Sequence, residues 1–226
     1  MNEWILLLQS PILMMIGFFL TYYQRHYGVI FVCLMIILAN LFIIKQVDLF
    51  GLHVTASDAY FIAAACTLNV IQEMHGKKQA LEAMALSFSG LILFSVLTQV
   101  QFLYDPNDFD HTSAAFHTVF QFSLKISLVS LICYWFSQKI DLFLYRVSRR
   151  MTYSQAAACF IAVAIAQLLD TVLFSTLALS SIVGNLWHVI FFSYGVKLLI
   201  LLISVGIMSA LYAILDMANM YYESKV

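Results

Sequence analysis

Charged side chains are scarce in this chain. They make up 10% of its 226 residues, while 63% of positions are hydrophobic; a soluble domain carries roughly 25% charge. A water-soluble fold is thereby excluded, and an integral membrane protein remains. A basic excess is also missing. The formal net charge of −1 leaves no extended cationic face for a nucleic-acid partner. Four cysteines, Cys33, Cys66, Cys133 and Cys159, all fall inside apolar segments without close pairing, so they read as small core residues and not as disulfides or metal ligands. No HExxH, GxSxG, Walker A loop or paired CxxC occurs. Zinc hydrolases, serine hydrolases and ATPases therefore find no signature here, and neither an enzyme activity nor a cofactor is expected. No soluble domain, low-complexity linker or internal repeat is visible.

What is present is a series of uncharged runs long enough to cross a bilayer, which takes about 20 helical residues. They predict six spans, near residues 27–44, 57–74, 82–103, 114–137, 154–179 and 188–215. Residues 4–23 add an N-terminal hydrophobic helix that lacks the cleavage pattern of a secretory signal and kinks at Pro11. The fold expected is thus an all-α, polytopic membrane helix bundle of six core transmembrane helices plus this extra helix. An N-terminal segment, 1–24, precedes a single transmembrane domain, 25–220. Arg25, Lys77, Lys78, Lys139, Arg146, Arg149, Arg150 and Lys225 fall on one side, while the opposite loops hold Lys45 and the acidic stretch "DPNDFDH" at 105–111. The basic side is cytoplasmic, which puts Met1 outside.

Against this apolar background the interior charges stand out. Lys125, Asp170 and Lys197 each sit near the middle of a predicted helix, which places three ionisable groups at one depth. Such residues face a bundle interior or a wet cavity. Gln167, Asp170, Thr171 and Phe174 recur at steps of three and four, so they share a helix face. His117, Gln121 and Lys125 do the same on the fourth span, and Ser193, Lys197 and Ser204 on the last. Asn69, Gln72 and Glu73 cluster at the cytoplasmic end of the second span. Two readings stay open: a polar midplane chamber of the kind secondary transporters use, or ion pairs that simply glue helices together. The small-residue run "AAACF" at 156–160 permits close helix approach, within the bundle or in a homo-oligomer.

Several stretches together resemble the queuosine-precursor transporter family, also known as vitamin-uptake transporters. In "NVIQEMHGKK", residues 69–78, Glu73, Gly76 and Lys77 match the family's acidic segment, with Asn69 where Asp is usual. Lys125, Ser130, Gln138 and Asp141 are similar to its fourth-span pattern, with Lys in place of Arg. Gln167, Asp170, Thr171 and Phe174 match the fifth span, and Tyr194 and Lys197 the last, although a Pro often found further along is absent. The resemblance covers about residues 36–215. It implies a bacterial inner-membrane importer of 7-deazaguanines: queuine, preQ0 or preQ1.

On that footing Asp170, assisted by Gln167, would accept the neighbouring N–H donors of the guanine edge. Lys125 and Lys197 would keep Asp170 charged, with Thr171 on the same face, and Phe174 or Tyr194 would stack on the ring. Asn69, Glu73, Gln138 and Asp141 are expected in gating or structural roles, with Glu73 pairing to Lys77 or Lys78. The alternatives are the substrate-binding membrane subunit of a multicomponent vitamin importer and a non-transporting scaffold.

Overall fold

The computed structural model describes residues 2–43, 45–49, 52–55, 57–121, 123–152, 154–179 and 186–223. Among the described residues eight helical segments carry the fold: α1 (Asn2–Tyr23), α2 (Arg25–Phe42), α3 (Asp58–His75), α4 (Lys77–Gln101), α5 (Ser113–Gln121), α6 (Ser123–Met151), α7 (Gln155–Phe174) and α8 (Leu186–Glu223). A single π-helical turn, Ser175–Leu179, extends α7. A two-stranded antiparallel hairpin, β1 (Gln46–Leu49) and β2 (Leu52–Thr55), joins α2 to α3. The all-helical bundle is as expected; the hairpin was not.

Among the described residues, five helical segments are long and apolar enough to cross a membrane: Asn2–Tyr23, Arg25–Phe42, Lys77–Gln101, Gln155–Leu177 and Ile190–Leu215. The polar α3 and α6 are 18 and 29 residues long, which at 1.5 Å per residue gives about 27 and 43 Å. Helix α6 is long enough to cross the hydrocarbon layer and α3 falls a little short of its roughly 30 Å. Each keeps a buried polar face, with Asp58, Asn69 and Gln72 on α3 and Ser137, Gln138 and Asp141 on α6.

Helix α3 is the centre of the bundle. It packs against α1, α2, α4, α6, α7 and α8, and its residues from Phe61 to Gln72 are all buried. The run Ala63–Ala64–Ala65 lets neighbours approach this closely. Gly17 of α1 serves the same end, because a Cβ there would collide with the Thr67 hydroxyl of α3 and the Phe31 ring of α2. The N-terminal helix is thus packed into the bundle, runs through Pro11, and starts beside the hairpin, where Asn2 Nδ2 donates to Asp48 O at 3.0 Å.

The remaining wall is the antiparallel pair α6 and α7. Ala156, Ala158, Cys159 and Ala162 are buried within this one chain, so the small-residue face of α7 serves intramolecular packing. One boundary differs from the sequence expectation. The span set at 114–137 falls on α5 and the first half of α6, and α6 continues to Met151. The second half of α6 carries four basic residues from Lys139 to Arg150, which lowers its hydropathy although Ser137, Gln138, Asp141 and Tyr145 are buried.

A candidate site along a polar column

Asp170 lies one turn before the end of α7 and Lys197 in α8, and the two helices bring them together. Lys197 Nζ donates to Asp170 Oδ2 at 3.4 Å and to Thr171 Oγ1 at 3.1 Å. Ser137 of α6 donates its hydroxyl to Asp170 Oδ1 at 3.3 Å. A second carboxylate completes the group: Asp58 Oδ1, at the start of α3, stands 4.0 Å from Lys197 Nζ. The side chains of Asp58, Lys197 and Asp170 are 4%, 7% and 15% exposed, so one lysine serves two carboxylates out of bulk water. Both acids ionised would leave this cluster with one net negative charge.

Beside it lie acceptors that no protein donor reaches. Gln167, one turn back from Asp170, and Gln138, next to Ser137, are both buried, and Oε1 of each lacks a hydrogen-bond partner, as does Asp58 Oδ2. Buried polar atoms are nearly always paired, so these three oxygens, like five other buried side-chain atoms among the described residues, are open to further donors.

Two further tiers follow towards the cytoplasmic end. Asn69 of α3 donates from Nδ2 to both carboxylate oxygens of Asp141 at 3.2 Å, and to Cys159 Sγ of α7 at 3.7 Å. Glu73, one turn on, accepts from Arg149 Nε at 3.0 Å and NH2 at 2.9 Å, and from the Tyr145 hydroxyl at 2.9 Å. Ser137, Asp141, Tyr145 and Arg149 recur every four residues, so they form one slowly turning stripe on α6. It carries polar contacts through about 18 Å of bundle.

The expected site residues divide accordingly. Asp170, Thr171 and Lys197 meet, with Gln167 and Gln138 buried close by along their helices. Phe174 is partly buried one turn beyond Asp170. Tyr194 instead lines an apolar groove with Leu168, Val172, Ile190 and Phe191, and its hydroxyl donates to Ala164 O at 3.1 Å. Lys125 does not share the depth of Asp170. It stands twelve residues before Ser137 on α6, about 18 Å along the axis, and its side chain lies outside the described residues. Glu73 pairs with Arg149 and Tyr145 from a neighbouring helix. Sequence reading missed Asp58, which looks like an ordinary acidic first-turn residue. It also missed the four-residue period of the α6 stripe, although that period is visible in the sequence.

A multi-pass bundle that hides ion pairs and unsatisfied acceptors between its helices is the architecture of a membrane transporter. Residues 55–213 match the family described as "Putative vitamin uptake transporter", and the chain belongs to that family. It is 31% identical over 171 residues, 74% of this chain and 75% of the relative, to the "Probable queuosine precursor transporter" of Bacillus subtilis (strain 168). No solved structure matches it. All three tiers of the column lie inside the matched region.

Proposed function

We propose that the protein imports a 7-deazaguanine precursor of queuosine across the bacterial inner membrane, and that the substrate binds beside Asp170, at the level where α3 begins. The observation that carries this reading is the buried Asp58–Lys197–Asp170 cluster, with its orphaned acceptors, in a chain similar to a protein of that name. A guanine edge offers adjacent N–H donors. Asp170 accepts two of them, and the free oxygens of Gln167 and Gln138 take the remaining donors. Lys197 pairs with Asp170 while the site is empty.

The charge count also bears on the substrate. Two carboxylates around one lysine favour a ligand that brings a positive charge, so preQ1 and queuine, which carry a protonated amine, suit the site better than the uncharged nitrile preQ0. Glu73, Arg149 and Tyr145 close the cytoplasmic side, and their ion pair parts to release substrate.

The test is the queuosine content of tRNA in bacteria lacking precursor synthesis and their own importer. They express this chain and receive queuine, preQ1 or preQ0 separately. Restoration by an amine-bearing precursor, lost in an equally expressed Asp170→Asn variant, is the expected result. No restoration by any of the three, with the protein in the membrane, would overturn the reading in favour of a multicomponent importer subunit or a scaffold.

A further inference from the structure

Every other carboxylate on the inner faces of α3, α6 and α7 has a cation beside it. Glu73 has Arg149, while Asp58 and Asp170 share Lys197. Asp141 is the exception. It is fully buried, and among the described residues no Lys, Arg or His lies within ion-pair distance of it. Its surroundings are neutral on each packed side: Cys66 and Asn69 from α3, Cys159 from α7, and Tyr134, Gln138 and Tyr145 along α6. Leaving a bare carboxylate there would cost several kcal/mol.

The hydrogen-bond inventory shows how that cost is avoided. Asn69 Nδ2 already donates to Asp141, yet the other end of the same amide, Asn69 Oδ1, is buried and has no donor. A carboxylate cannot supply one, because it only accepts; a carboxylic acid can. Asn69 Nδ2 stands 3.2 Å from both Asp141 oxygens. With a proton on one of them, a turn of the Asn69 amide lets Asp141 donate to Asn69 Oδ1 while its other oxygen accepts from Nδ2, and both groups are then satisfied in a two-bond ring. The neutral acid fits this site, and the anion leaves an orphan beside a negative charge.

We propose that Asp141 is the proton-binding residue of the transport cycle, loaded from the outer side and discharged to the cytoplasm. The proposal rests on the transport reading above. In the cycle, a proton from outside water adds to an Asp141 oxygen, and the ring with Asn69 forms as the bundle closes. When the Glu73–Arg149 pair opens, that O–H bond breaks and the proton passes to cytoplasmic water. One proton then enters with each substrate molecule, and the proton gradient drives accumulation. Tyr145 of the stripe and Glu73 of α3, which share the next tier towards the cytoplasm, line the way out.

Two measurements test this on the full-length protein. Infrared spectroscopy of the purified protein at neutral pH reads the C=O stretch of protonated carboxyl groups. A band is expected that is missing in Asp141→Asn and displaced in Asp141→Glu. An unchanged band set in well-folded Asp141→Asn, or no such band in the native protein, would overturn the proposal.

The second measurement is uptake of labelled preQ1 or queuine by proteoliposomes with the membrane potential clamped and an acid-outside gradient imposed. Native protein should accumulate substrate about tenfold for each pH unit imposed. The ratio of uptake with and without the gradient should fall to about one in Asp141→Asn. A native ratio near one, or an undiminished ratio in the variant, would overturn the coupling role. Failure of the native protein to move any deazaguanine, even by exchange, would overturn the transport reading instead. The infrared band would then still decide whether Asp141 holds a proton.

Discussion

Arg149 crosses from α6 to grip the Glu73 carboxylate of α3 through two guanidinium nitrogens, Nε and NH2, at 3.0 and 2.9 Å. Planar contact of this kind fixes direction as well as distance. Because it ties together the cytoplasmic ends of two helices that also hold the inner tiers of the column, its strength should govern how readily that end opens. Arg149→Lys keeps the charge and loses the fork. It should alter the uptake rate severalfold at unchanged substrate affinity, read from initial rates against equilibrium binding. An affinity change with an unaltered rate would place the pair in the binding site instead.

Lys197 balances two acids, so removing it should be worse than removing an acid. Lys197→Met leaves Asp58 and Asp170 facing each other without a cation, a loss of about 3–5 kcal/mol. The Asp170→Asn/Lys197→Met pair should recover part of this, because one of the stranded charges goes as well. Thermal unfolding in detergent would show the order: native above double variant, double variant above Lys197→Met. Additive losses would mean that the groups act independently.

Gly17 marks the crossing of α1 over α2 and α3. Gly17→Val puts a branched side chain against Thr67 and Phe31 and should destabilise the protein by about 1–3 kcal/mol. The drop in melting temperature should exceed that of Gly90→Val, since a Cβ at Gly90 meets nothing within 4 Å.

Outside the bundle, Asp110 caps the start of α5. It accepts from the Ser113 hydroxyl at 2.5 Å and from the Thr112 amide and hydroxyl, both at 2.8 Å. These donors, Ser113 foremost, pull its carboxyl down to about 2. Since the folded value lies below the unfolded one, the cap is fully present above about pH 4 and fails only as pH falls through the folded value. Protection of the Thr112 and Ser113 amides against hydrogen exchange should therefore stay constant between about pH 5 and about pH 8. It should be lost in Asp110→Ala at every pH in that range.

What could be read from the sequence, and what could not, follows from the range of each signal. Asp170 and Lys197 interrupt apolar runs, and a charge in such a run announces itself. Lys125 looked equivalent because the centre of a span was taken from hydropathy. The true α6 runs to Met151, which shifts its middle to Ser137. Glu73 seemed destined for Lys77 or Lys78 because a helix-end carboxylate is first compared with its sequence neighbours. Its partner is 76 positions away, and contacts between helices leave no local trace. The hairpin is short, with four residues in each strand, too few for alternation to outweigh the helical runs on either side.

The enclosure of α3 has a consequence for how the protein is made. A helix that begins with Asp58, carries Asn69, Gln72 and Glu73, and falls outside the five strongly apolar segments has little reason of its own to leave the translocon for lipid. Four of the helices that shelter it, α4, α6, α7 and α8, are synthesised later. Membrane insertion here is therefore a matter of order. Helices α1 and α2 can settle as they emerge, but α3 must be held or shielded until its late-arriving neighbours cover its polar face. Truncation before α6 should leave a chain that is recognised and degraded, not a smaller stable bundle.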